Sequence, residues 1–191
     1  MRKLALALGL LAAGPAFSIF TSAQVGATGL EIDVKGVANG TITIDLFEDV
    51  APNHVEQITA LAAEGAYDGV VFHRVIEGFM AQTGDVEFGR AGGDMRRAGT
   101  GGSKRADLKA EFSDLPFERG IVGMARSASP DSANSQFFIM FAPAPNLNGQ
   151  YTVVGRVTGG MNIVDKIKRG RGPNGAVVGT PDTMTAVRVT R

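Results

Sequence analysis

Short runs of alternating apolar and polar residues, each stopped by glycine or a turn cluster, set the strongest limit on how this chain folds. Leu30-Glu31-Ile32-Asp33-Val34 and Thr41-Ile42-Thr43-Ile44-Asp45-Leu46 are joined across Val37-Ala38-Asn39-Gly40, which predicts a β-hairpin. Two shorter strands are expected on either side of Gly78, and further runs cover 120–125, 135–141, 151–157 and 183–190. Only two segments carry helical spacing. One begins at Pro52, with Val55, Ile58, Thr59, Leu61 and Ala62 as its stripe and Gly65 as its stop. The other runs from 161 to 168 on Ile163, Val164 and Ile167. Many short strands with two helices predict a mainly β domain: a closed or nearly closed antiparallel β-barrel whose ends the helices cap.

At 191 residues a single core is comfortable, and no linker divides the chain. Arg2 and Lys3 precede the apolar run Leu4 to Ala13, followed by Gly14-Pro15 and small residues including Ala16, Ala23 and Ala27. This is the pattern of a secretory signal peptide over 1–27, cleaved after Ala23 or Ala27, and the run is too short to span a bilayer. The domain is then 28–191, and the protein is expected to be periplasmic or secreted, without stable membrane insertion. Without Arg2 and Lys3, 17 basic side chains stand against 19 acidic ones, a formal charge of −2. That gives no general pull toward nucleic acid. With no cysteine, disulfides and thiolate chemistry are excluded.

The stretch Phe72-His73-Arg74-Val75-Ile76-Glu77-Gly78-Phe79-Met80-Ala81-Gln82 sets one cation and one amide among large apolar residues. Period two puts Phe72 with Arg74, and Met80 with Gln82, while His73 and Val75 point the other way. A second strand repeats the combination, with Gln136 and Phe138 on one face and Phe137 and Ile139 on the other. Half-buried strands also alternate in this way without any function, so spacing alone leaves both readings open.

Other chemistries lack their residues. The two histidines, His54 and His73, read as structural, and no Gly-x-Ser-x-Gly elbow supports a serine nucleophile. They cannot build a usual zinc site, no calcium loop is present, and no metal or cofactor is expected. The glycine-rich passage 89–103, with Arg90, Arg96 and Arg97, is long enough to be functional or mobile. It lacks the ending of a phosphate-binding loop and has no interleaved aromatics for nucleic acid.

Phe72-His73-Arg74-Val75-Ile76-x-Gly78-Phe79-Met80-x-Gln82-x-Gly84-Asp85, then Gly99-Thr100-Gly101-Gly102, Gly123-Met124-Ala125 and Ser135-Gln136-Phe137-Phe138-Ile139 closely resemble the cyclophilin family of peptidyl-prolyl cis-trans isomerases. The matches are ordered and spread over 30–190. The resemblance implies an eight-stranded closed antiparallel β-barrel capped by two α-helices, with the active site on its outer face. It also implies that Arg74 is the catalytic arginine and that Phe79, Met80, Phe138 and Leu147 form the proline pocket. Gln82 would hold the substrate backbone, with Gly99, Ala125 and Gln136 along the groove, and Arg126 and Tyr151 complete the expected substrate-binding set.

Three positions depart from the family pattern. Asn146 precedes Leu147 where many members carry tryptophan, Tyr151 stands for histidine, and Arg126 stands for asparagine. The tryptophan is a cyclosporin contact in the family, so these changes bear on inhibitor binding more than on turnover. The expected function is acceleration of rotation about Xaa-Pro bonds during folding of exported proteins. The expected partners are proline-containing peptides and unfolded proteins, met by a monomer. A rival reading is a holdase or binding module that grips proline segments without turnover.

Overall fold

The structure, a computed structural model, describes residues 28–191; the signal segment 1–27 read from the sequence lies outside the described residues. Within them the order is β1 (Gly29–Lys35), β2 (Gly40–Leu46), α1 (Pro52–Ala63), β3 (Val70–Val71), β4 (Arg74–Ile76), β5 (Met80–Thr83), β6 (Ile121–Met124), β7 (Phe137–Met140), β8 (Val153–Gly159), α2 (Met161–Val164) and β9 (Thr183–Thr190). The expected hairpin is β1 with β2, paired from Gly29 with Asp45 to Val34 with Gly40. All pairings are antiparallel, and the sheet runs β3-β9-β1-β2-β8-β6-β7-β5-β4.

The mainly β class and the two helices are as expected, but the closed eight-stranded barrel is corrected. The sheet has nine strands and is open, because its edge strands β3 and β4 do not pair with each other. The cause lies in the two residues between them. Phe72 N donates to Asp182 O at 2.9 Å, and His73 O accepts from Val177 N at 2.9 Å. These peptide groups are committed to the 176–182 segment, so residues 70–76 cannot run as one strand.

The same break resets the alternation. Phe72 and Val75 both enter the inner core, while Arg74 and Ile76 face outward, so the shared face predicted for Phe72 and Arg74 is corrected. Beyond Gly78 the period holds. Ala81, Phe137 and Ile139 point into the inner core, and Met80, Phe138 and Met140 belong to a second apolar cluster on the outer face.

The inner core is filled by alternate residues of β1 and β2, such as Ile32 and Ile44, and by the α1 stripe Val55, Ile58, Leu61 and Ala62. Each fully buried aliphatic side chain contributes about 1.5–3 kcal/mol. Helix α1 has Pro52 in its first turn but no local side-chain cap. Glu111 supplies one from afar: its carboxylate accepts from Asn53 N at 3.2 Å and His54 N at 3.1 Å, which suits the positive end of a helix. Burial opposes the Glu111 charge, but hydrogen bonds from His54 and Asn53 outweigh it and hold the carboxyl below its usual 4.5. Helix α2 stops at Val164 instead of 168. Asp182 accepts from Lys168 N at 2.6 Å and from Ala38 N at 2.8 Å, drawing the chain off the helical path.

Candidate active site

Strands β4, β5 and β7 lie side by side, and their register builds the site. Arg74 stands opposite Gln82, and Gln82 opposite Phe138, so three outward side chains form one row across the sheet. Ile76, Met80 and Met140 form the next row. Arg74, Phe79, Met80, Gln82, Ala125, Arg126, Phe138, Leu147 and Tyr151 line a cavity of about 160 Å³. Gly99 and Gln136 line an adjoining polar cavity of about 390 Å³, which Gln82, Ala125 and Arg126 also border. The residues named from the sequence therefore share one continuous groove.

Its apolar wall is built of packed aromatic rings. Phe138 stacks on Phe117 with centroids 5.7 Å apart and meets the edge of Tyr151 at 5.8 Å. Gly123, opposite Phe138 on β6, makes room for this stack. A Cβ there would lie 2.6 Å from both Phe117 Cε1 and Phe138 Cζ. Glycine is required by the approach of the rings.

A directional chain of hydrogen bonds fixes the polar side. Arg74 Nη1 donates to Gln82 Oε1 at 3.1 Å, Gln82 Nε2 to Gln136 Oε1 at 2.9 Å, and Gln136 Nε2 to Gly101 O at 2.7 Å. From the other side Arg74 Nε donates to Asn174 O at 3.0 Å, and Nη2 to Asn174 Oδ1 at 3.2 Å. Three N–H groups of the guanidinium are thus held, out of the five an arginine carries. A second Nη1 contact reaches only the Met80 sulfur at 3.7 Å, a weak acceptor. Burial pulls the Arg74 pKa below its ordinary value, with Tyr151 opposing, and the group stays charged at neutral pH.

The glycine-rich passage is not loose where it meets the groove. Asp85, fully buried, accepts from Gly99 N at 2.7 Å and Gly101 N at 3.1 Å through Oδ2, and from Glu87 N and Phe88 N through Oδ1. The carbonyl that Gln136 reaches is therefore placed by a carboxylate on the β5 side of the loop. His73, only 7% exposed, lines a cavity with Arg74, Gln82 and Gly99. Its assignment to the face away from Arg74 is corrected.

Residues 30–190 match the family model for cyclophilin type peptidyl-prolyl cis-trans isomerase/CLD. The chain belongs to the cyclophilin family. It is 61% identical over 148 residues to a probable peptidyl-prolyl cis-trans isomerase of Brucella suis, covering 76% of each chain. A crystal structure of a cyclophilin type peptidyl-prolyl cis-trans isomerase of Cryptosporidium parvum shares the fold at TM-score 0.72 and 24% identity, covering 86% of this chain and 98% of that one. A second structure of that protein, in the presence of the dipeptide Ala-Pro, aligns at TM-score 0.69 and 25% identity, covering 85% and 99%.

Sequence reading of this cyclophilin missed Asn174, Gly123 and the placement of His73. Asn174 had a signal: it sits in Pro173-Asn174-Gly175, and asparagine before glycine tolerates a left-handed backbone. Nothing local says that the turn lies behind Arg74. Gly123 stood within a matched motif, but its contact with two aromatic rings is visible only across strands.

Proposed function

We propose that this isomerase turns Xaa-Pro bonds by binding the proline ring against Phe79, Met80, Phe138 and Leu147 while Arg74 donates a hydrogen bond toward the prolyl nitrogen. Rotation about a peptide bond costs roughly 18–20 kcal/mol because the nitrogen lone pair is conjugated with the carbonyl. In the twisted state the nitrogen becomes pyramidal and its lone pair can accept. A donor placed there favours that state over the planar one. No covalent step and no proton transfer are needed.

Shortening a process of about 100 s to about a millisecond takes a factor of roughly 10⁵, or about 7 kcal/mol. One charge-assisted hydrogen bond contributes about 1.5–3 kcal/mol. The rest is assigned to fixing the ring in a cavity small against the roughly 300–1,000 Å³ of drug-sized ligand sites, and to a guanidinium whose orientation is settled before substrate arrives. The observation that carries this reading is Arg74, held by Gln82 and Asn174 at the mouth of an apolar cavity. The Cryptosporidium parvum relative studied with Ala-Pro supports proline-containing ligands. A protease-coupled isomerase assay on an Ala-Pro tetrapeptide tests it: Arg74→Ala should lower kcat/KM about 10- to 100-fold, and unchanged kcat/KM sinks it.

The proposed setting is the folding of exported proteins, with 1–27 as a signal peptide and 28–191 as the isomerase domain. Support comes from Arg2 and Lys3 ahead of the apolar run Leu4 to Ala13. Mass spectrometry of the N-terminus of protein recovered from fractionated cells should find it after Ala23 or Ala27, and intact Met1 in the cytoplasmic fraction alone contradicts export.

A further inference from the structure

Among the described residues, Arg126 is the one cation that borders both the apolar cavity and the polar cavity beside it. It is tied down by backbone carbonyls: Nε and Nη2 donate to Gln150 O at 3.1 and 2.9 Å, and Nη1 to Ser127 O at 3.0 Å. Its guanidinium also lies over the Tyr151 ring, 4.4 Å from the centroid. Carbonyl oxygens and a ring face orient the group but leave its charge uncancelled. Among the described residues, Arg96, Arg105, Arg119, Arg169 and Arg188 are all paired with carboxylates, and Arg126 is not.

The lining around it is built mainly from neutral groups. Ser103, Ser127, Ser132, Asn134 and Gln136 face the polar cavity. Its one carboxylate, Asp107, accepts from Asn134 Nδ2 at 2.9 Å. Across the apolar cavity stands Arg74, likewise bonded only to amide, carbonyl and sulfur acceptors. A groove with two fixed guanidinium groups in a domain, residues 28–191, of slight negative charge is a local feature, not a consequence of overall composition.

We propose that Arg126 makes this enzyme select proline peptides that carry a carboxylate side chain next to the proline, on the side running into the polar cavity. The proposal rests on the groove assignment made above. Arg126 is half-buried and already ordered, so pairing with an incoming aspartate or glutamate costs little side-chain entropy on the protein's side. The expected gain is about three- to fivefold in kcat/KM, the scale of a partly exposed ion pair. It should shrink with salt, because the Debye length falls from about 10 Å at 0.1 M to about 3 Å at 1 M.

The experiment compares tetrapeptides with glutamate, alanine or lysine immediately before the proline, and a second set with the same residues immediately after it. Wild type, Arg126→Gln and Arg126→Lys are assayed at low and high salt. Wild type should favour glutamate over alanine over lysine in one of the two sets, Arg126→Gln should abolish the order, and Arg126→Lys should restore part of it. Equal rates for all three residues in both sets overturn the proposal, as does an order that persists in Arg126→Gln or in 1 M salt. Peptide affinities from amide chemical shifts read the same preference independently of turnover. An isomerase that fails on every peptide contradicts the proposed function, while the binding order still decides the role of Arg126.

Discussion

Asn174 grips Arg74 through both its main chain and its side chain, accepting from Nε at 3.0 Å and from Nη2 at 3.2 Å. It does so at φ 54°, the one left-handed non-glycine residue among those described. The turn is thus shaped to put two acceptors behind one guanidinium. Asn174→Gly keeps the backbone geometry and the carbonyl bond but loses the Oδ1 bond. We expect kcat to fall about threefold to tenfold with KM little changed, the scale of one hydrogen bond. Asn174→Ala should in addition lose about 1 kcal/mol of stability in denaturant titrations, because alanine is strained in that region.

Gln82 and Gln136 act as one unit, since each amide is oriented by the donor before it. Gln82→Ala should lower kcat/KM about tenfold and Gln136→Ala by less. The double variant should fall short of the product of the two effects, because either change breaks the same chain. Steady-state kinetics on the four proteins of the cycle provides the check, and strict additivity would show that the two amides act separately.

Gly123→Ala should damage the apolar wall. With Phe117 and Phe138 atoms 2.6 Å from the new methyl group, the rings must shift, costing about 1–3 kcal/mol. A raised KM with a lowered melting temperature is the expected pair of readouts. A variant with unaltered KM would mean that the ring stack does not shape the cavity.

Burial holds the His73 imidazole below its usual 6.5, with the Asp85 charge opposing. The unfolded chain takes up this proton near pH 6.5 while the folded protein resists it. Stability is therefore full above about pH 6.5 and lost as the pH falls from there toward the folded value. His73→Phe should flatten this part of the stability profile, as followed by urea unfolding between pH 5 and 8.

How much of this was legible in the sequence depends on the range of the interactions involved. β9 was read at its observed bounds because Thr183–Thr190 is an uninterrupted strand pattern. The row Arg74, Gln82, Phe138 was half visible: alternation grouped Gln82 with Met80 and Phe138 with Gln136 but put Arg74 with the buried Phe72, and the family motif named all three. The break at Phe72 and His73 was hidden, since its cause is hydrogen bonding to Asp182 and Val177, more than a hundred positions away. Asn174 lies 100 residues from Arg74, and Glu111 caps α1 across 57 residues. Such contacts follow from the packed fold and leave no periodicity.

Arg74 is proposed to act on the twisted state of a prolyl bond already held in the cavity. Exchange NMR on a saturating Ala-Pro peptide measures the interconversion rate on the enzyme separately from binding. Arg74→Ala should slow that rate about 10- to 100-fold while peptide affinity changes by less than a few-fold. An unchanged on-enzyme rate, with any loss confined to affinity, would rule out this role for Arg74.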